Sequence, residues 1–186
     1  RPWRYGRFYV SKDEAKTLGS TLVALRGREL KGLPVVAPRV VHVDQLDYRF
    51  IPEVVALRAG DTIRFTNGDA TSHNVRDVEG VEPLNVTLTQ DGESVYPFRR
   101  VTGIRKPIRI GCALHSQMQA WVYVFDHSYV AVTAEDGRFV FANVPPGEYD
   151  LDVVHPPGGL TYSRKVVIPP RDTVTLDLPL SPDHLA

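Results

Sequence analysis

Apolar side chains in this chain recur at every second position over short runs, and the runs are cut by Gly, Pro, Asn and Asp. That period belongs to strands half-buried on one face. From Arg39 the pattern is β throughout. Val41 and Val43, then Val54, Val55 and Leu57, fall in short β-branched runs, and Gly60-Asp61 marks a tight turn. The run 62–66 puts Ile63 and Phe65 on one face, and Asn67-Gly68 ends it. Further strands are predicted over 84–89, 93–98, 106–111 and 119–125. Short strands and turns at this spacing predict a sandwich or barrel.

Beyond Asp126 the β pattern continues in a different register. The runs 129–133 and 138–141 flank Asp136-Gly137, a hairpin signature because Asp-Gly accepts positive φ. Prolines and glycines at 145–147 and 156–159 precede strands predicted over 148–154 and 161–168, and 172–178 closes the set. Ahead of Arg39, 21–25 reads as a strand and Gly32-Leu33-Pro34 as a turn. Ser11 and Glu14 fit a capping box, which predicts a short helix over 12–18 stopped by Gly19. Residues 1–9 interleave arginines and aromatics and are read as an arm lying on its own domain, with docking to an acidic or aromatic partner as the alternative.

Composition narrows the class. The 186 residues are 42% hydrophobic and include 15 Pro and 14 Gly, as suits a turn-rich β protein with a real core. Lys and Arg number 22 and Asp and Glu 22, so net charge supplies no argument for nucleic acid or an anionic membrane. No apolar run approaches the roughly 20 residues of a membrane helix. One cysteine excludes an intrachain disulfide and a dinuclear copper centre bridged by two cysteines. The first residue is Arg1 rather than Met, and removal of a secretory signal is the expected reason, which predicts an exported protein.

The only cysteine and the only methionine lie six residues apart with a histidine midway: Cys112-Ala113-Leu114-His115-Ser116-Gln117-Met118. Thiolate, imidazole and thioether are the donors copper prefers, the thioether as a weak axial ligand. His73, just after a predicted strand, supplies a second imidazole. Two imidazoles and a thiolate around copper serve both Cu(I) and Cu(II) with little rearrangement, which keeps the cost of electron transfer low. The plainer readings are a buried thiol acting as a small hydrophobe, Met118 as core filler and His73 as a turn residue. Glu53 is a candidate oxygen ligand for a more enzyme-like centre. A nucleophilic Cys112 beside His115 lacks a visible third orienting group or oxyanion device. His42, His127, His155 and His184 have no matching partners and read as surface or structural.

These residues carry a family resemblance. Phe50-Ile51-Pro52, Gly60-Asp61, Phe65-Thr66-Asn67 and His73-Asn74-Val75, followed by the block from Gly111 to Met118, resemble the ligand-bearing segments of cupredoxins of the plastocyanin and amicyanin type. The C-x2-H-x2-M spacing is similar to the short loop of amicyanins, and Ser116 stands where many relatives carry proline. The resemblance covers roughly 38–126. It implies an all-β Greek-key sandwich with one type 1 copper on His73, Cys112, His115 and Met118, and a role for Asn74 in clamping the two ligand loops. It implies an exported, periplasmic or cell-surface electron carrier without enzymatic activity. Its redox partners would dock near His115 on a surface of Ala113, Leu114, Pro52 and Pro83. The alternatives are a copper-binding subunit of a respiratory or surface assembly, or a copper-binding or sensing module that never turns over electrons. The phrase from Ala134 to Leu151 is similar to carboxypeptidase regulatory-like modules, small β-sandwiches without catalytic groups. A cupredoxin followed by such a module resembles proteins described as methylamine-utilisation-like. The expected organisation is an arm and extra strand over 1–37, the copper domain over 38–126 and the β module over 127–186. At this length the module is marginal for independent folding, so it is expected to pack on the copper domain and to borrow a strand such as 21–25. Partners are expected to be redox proteins, with assembly contacts through the module or arm.

Overall fold

The computed structural model describes residues 18–34, 36–178, 180 and 182–185. The arm over 1–9 and, Leu18 apart, the helix expected over 12–18 lie outside the described residues. The described chain is all-β, with strands β1 (Leu22–Arg26), β2 (Val40–Leu46), β3 (Arg49–Ile51), β4 (Val54–Arg58), β5 (Thr62–Asn67), β6 (His73–Asp77) and β7 (Asn85–Leu88). After these come β8 (Glu93–Pro97), β9 (Ile108–Gly111), β10 (Gln119–Phe125), β11 (Val130–Val132), β12 (Gly147–His155) and β13 (Leu160–Ile168). The only helical pieces among the described residues are three-residue 3-10 turns. None is long and apolar enough to cross a membrane. The chain divides into two compact units at Pro34/Val35 and Ser128/Tyr129, with β1 assigned to the unit that holds β11, β12 and β13.

The middle unit is a sandwich of two sheets, ordered β3-β2-β5-β8 and β4-β10-β9-β6-β7. Neighbours β2 and β5, and β4 and β10, run parallel, while the other pairs are antiparallel. Parallel neighbours cannot be joined by a hairpin. The chain therefore crosses repeatedly from one sheet to the other, a Greek-key winding. Alternation decides what lies between the sheets. Val43, Phe50, Ile63 and Phe65 come from one; Val55, Leu57, Val75, Leu88, Ile108, Ile110, Val122 and Val124 come from the other. Each such side chain contributes about 1.5–3 kcal/mol on burial.

The turn after β4 is held by a buried carboxylate. Asp61 is 1% exposed and accepts the backbone N–H groups of Arg39 (2.9 Å) and Arg58 (2.9 Å) and both guanidinium groups. Burial pushes its carboxyl up, but the N–H donors of Arg58 and Arg39 and the Arg58 charge outweigh that, and its pKa lies below the ordinary carboxylate range. A depressed folded pKa contributes stability that is present above the unfolded value, about 3.9, and is lost as pH falls through the folded one. Urea midpoints are therefore expected to fall below about pH 4. Asp61→Asn is expected to flatten that acid limb and to cost about 3 kcal/mol at neutral pH by leaving Arg58 unpaired. An unchanged acid limb in the variant would assign it to other carboxylates.

The second unit is a single four-stranded sheet, β11-β1-β12-β13. The strand expected over 21–25 sits inside it, pairing antiparallel with β11 on one edge and β12 on the other. Val23 and Leu25 join Leu30, Tyr149, Leu151, Val153 and Val166 in its apolar cluster. Arg26 bridges Asp150 (3.0 Å) and Asp152 (3.0 Å) across the pair. Two expected strands differ from the sequence reading. Residues 138–141 and 172–178 belong to no strand. Phe139, Phe141, Leu176 and Leu178 pack on the apolar cluster, so these segments lie over the face of the sheet instead of lengthening it. A turn does form here, but it is not the type I′ turn that Asp136-Gly137 suggests: only Gly137 has positive φ (+76°), and its N–H donates to Ala134 O at 2.9 Å, so the turn closes over 134–137.

Candidate metal centre

Two loops at one end of the second sandwich sheet build the site. β6 starts at His73 and β9 ends at Gly111, and these strands run antiparallel in register Arg76↔Gly111. The start of one therefore lies beside the end of the other. This pairing joins the His73 loop to the Cys112 loop, which the sequence separates by 39 positions. The 112–118 loop is closed by its own backbone: Met118 N–H donates to His115 O at 3.0 Å and Cys112 N–H to Met118 O at 3.4 Å. A Cβ at Gly111 would stand 2.7 Å from Val78 Cγ2, so a larger residue there requires the Val78 side chain to shift.

His73, Cys112 and His115 come together. One ligand atom from each lies within 4.8 Å of the other two. The two histidine Nδ1 atoms are 3.0 Å apart, and Cys112 Sγ is 3.7 Å from His115 Nδ1. His73 is fully buried, Cys112 is 4% exposed and His115 is half-buried. Two imidazole nitrogens facing each other at this distance share either one proton or one cation. A thiol beside them supplies the soft donor that separates a copper-type site from a hard-cation site. Met118, the fourth expected ligand, is 0% exposed and packs in the same core cluster as Cys112. Its burial suits both a weak ligand and a core side chain. The carboxylate of Glu53 is not in the cluster, so the oxygen-ligand alternative is not supported; Glu53 contributes its carbonyl to Trp121 N–H at 2.8 Å.

The surrounding hydrogen bonds hold these donors in place. The Asn74 backbone N–H donates to Cys112 Sγ at 3.2 Å. Its side chain, 5% exposed, donates to Asn85 Oδ1 (2.9 Å) and Val86 O (3.1 Å) and accepts from Ala113 N–H (3.3 Å). One residue thus ties β7 to the cysteine loop. Asn67 does the same for the histidine loop, donating to Thr71 O (2.8 Å) and Leu88 O (3.0 Å) and accepting from Asp69 N–H (3.1 Å). His73 Nε2 lies 2.7 Å from Asp69 Oδ2. A carboxylate there selects the tautomer protonated at Nε2 and leaves the Nδ1 lone pair facing the cluster. Burial pushes the Asp69 carboxyl up, but the N–H groups of Tyr48, His73 and Asp47 outweigh it, and its pKa lies below the usual range.

Two of these residues escaped the sequence reading. Asp69 had a faint signal, four positions ahead of His73 in the same loop. Tyr48 had none: it reaches the site from the β2–β3 turn, edge-on to His115 with ring centroids 4.9 Å apart and to His73 at 5.3 Å. Of the expected docking surface, Ala113, Leu114, Pro52 and Pro83 are all exposed, Leu114 at 57%. The remaining histidines are engaged elsewhere. His42 bonds Thr66 Oγ1 (2.8 Å), His155 accepts Gly158 N–H (3.0 Å), and His184 stacks edge-on to Tyr162. Burial lowers the pKa of His127.

Neither a protein-family model nor a curated protein matches the chain. Solved structures do. Amicyanin from Paracoccus versutus (Thiobacillus versutus) is 22% identical, with a TM-score of 0.41 over 46% of this chain and 80% of its own. A reduced amicyanin variant is 21% identical, with a TM-score of 0.41 over 46% of this chain and 81% of its own. A copper-containing nitrite reductase from Thermus scotoductus is 24% identical at a TM-score of 0.41, over 50% of this chain but only 24% of that enzyme.

Proposed function

We propose that the chain is a type 1 copper protein that carries single electrons between redox partners, and is not an enzyme. The observation that carries this reading is the convergence of a buried thiol and two imidazole nitrogens within 4.8 Å, at the end of a Greek-key sandwich. The donor set fits copper: one thiolate and two imidazoles for the metal, with the Met118 thioether as the weak fourth donor. Copper bound there supplies a one-electron couple. The chain's own residues do the rest. Asp69 holds the His73 tautomer, the Asn74 N–H stabilises sulfur in its anionic form, and the buried core beneath excludes water. His115 is the ligand closest to solvent and the exit for electrons, with Leu114 beside it as partner contact. By the same reading the protein works outside the cytoplasm, as a carrier or as the copper-bearing subunit of a larger assembly.

Copper(II) is expected to give the intact protein intense blue or green absorption. Leu114→Glu is expected to leave that spectrum and the potential nearly unchanged, because residue 114 offers no ligand atom. It should slow electron exchange with a small redox protein at fixed salt at least several-fold, by placing charge and water at the contact. A colourless copper adduct would end the type 1 reading. Equal exchange rates in the two proteins would favour a static copper-binding module.

A further inference from the structure

The two imidazoles of the cluster are held in different ways. His73 is fixed from behind by the Asp69 carboxylate at 2.7 Å. The His115 ring sits on a loop, is half-buried, and makes its polar contacts among the described residues through Nδ1 alone, to His73 and Cys112. Two rings lie against it: His73 at a centroid distance of 4.8 Å, itself the other imidazole of the cluster, and Tyr48, nearly perpendicular at 89° with ring centroids 4.9 Å apart. That edge-to-face arrangement is attractive between aromatic rings.

The chain accepts strain to put Tyr48 there. Asp47 and Tyr48 form the two-residue turn between paired Leu46 and Arg49, with φ of +51° and +57°. Turns of this kind favour Asn-Gly, because side chains at positive φ cost on the order of 1 kcal/mol each. The conformation is secured by Asp69, which accepts Asp47 N–H at 2.9 Å and Tyr48 N–H at 3.0 Å. One carboxylate therefore orients His73 directly and, through the turn, the ring that meets His115. Strain retained beside a ligand cluster points to use. Tyr48 is also 45% exposed, so core packing alone does not account for a ring at this position.

We propose that Tyr48 is a positioning residue of the metal centre: its ring does for His115 what the Asp69 carboxylate does for His73, keeping the imidazole in place with Nδ1 turned toward the cluster. The proposal rests on the metal-site reading for its purpose, but the positioning itself exists in the metal-free protein.

The test uses the full chain and three variants. Tyr48→Phe keeps the ring, Tyr48→Ala removes it, and Asp47→Asn/Tyr48→Gly removes it while giving the turn the residues it prefers. In the metal-free proteins, NMR relaxation of the His115 ring is expected to show order in the wild type and Tyr48→Phe, and mobility in both ringless proteins. Copper(II) titrated against a competing chelator is expected to bind both ringless proteins about threefold to tenfold more weakly, the size of one lost aromatic pair, and Tyr48→Phe within twofold of wild type. Wild-type His115 order in Asp47→Asn/Tyr48→Gly would overturn the proposal, as would Tyr48→Phe behaving like the ringless forms. If the wild type takes up no copper(II), the metal reading fails separately, and His115 order in the metal-free proteins still decides the role of Tyr48.

Discussion

Cys112→Ser will leave the copper(II) form of this protein without its visible colour while its β fold persists. Intense visible absorption at a copper site requires charge transfer from a soft thiolate, and Cys112 is the only sulfur in the chain able to become one. A serine hydroxyl at this position stays protonated and offers a harder donor. Local structure tolerates the change. Serine is close to cysteine in size, and its oxygen can take over the hydrogen bond from Asn74 N–H that now reaches Sγ at 3.2 Å. The stability loss is expected to be about 1 kcal/mol. The measurement is paired, visible absorption of the copper-loaded proteins and urea denaturation of the metal-free ones. Colour surviving in the serine variant would remove Cys112 from the ligand set.

Asn74→Ala will destabilise the sandwich by about 2 kcal/mol. Its amide joins Val86 O, Asn85 Oδ1 and Ala113 N–H in part-buried bonds, and alanine takes this partner from a backbone carbonyl and a backbone N–H at once. Each such loss costs about 1 kcal/mol. The backbone N–H that reaches Cys112 Sγ survives the substitution, so colour is expected to remain while urea midpoints drop and copper is released faster to a chelator. That split separates the side chain, which stitches β7 to the cysteine loop, from the backbone, which touches the sulfur. A midpoint within about 0.5 kcal/mol of wild type would show that the loop is held without it.

Asp69 ranks lower in energy but explains more of the geometry. Its three N–H donors come from His73 and from the Asp47-Tyr48 turn, so a change at the hairpin tip is felt at His73. No other described group joins the β2–β3 turn to the histidine loop in this way. That makes the first sheet, which contributes no ligand, a mechanical part of the site.

The candidate donors were legible in the sequence because their chemistry is rare and their spacing is local. Cys112, His115 and Met118 share one short loop, and a chain with a single thiol and a single thioether has few ways to place both beside a histidine by accident. His73 was legible because a strand of alternating pattern ends just before its loop. Strand positions followed from period two wherever one face is buried, as in β5. The same signal misled at 138–141 and 172–178. Alternation reports that one face of a segment is buried, and a segment lying across a sheet buries Phe139 and Phe141 as well as a paired strand would.

What the sequence determined by itself is therefore the candidate donor set, the β class and the order of most strands, since each depends on residue type and near neighbours. Tertiary structure alone decided the rest. It fixed the position of β1 within the sheet it was expected to join, between β11 and β12, because backbone pairing leaves no mark on side-chain pattern. It set the His73 and His115 nitrogens 3.0 Å apart, because that distance depends on the antiparallel register of β6 and β9. It also brought Tyr48 and Asp69 together beneath one pair of imidazoles, because contacts between loops at the same end of a sandwich are fixed by how its sheets wind, and no local period along the chain encodes that.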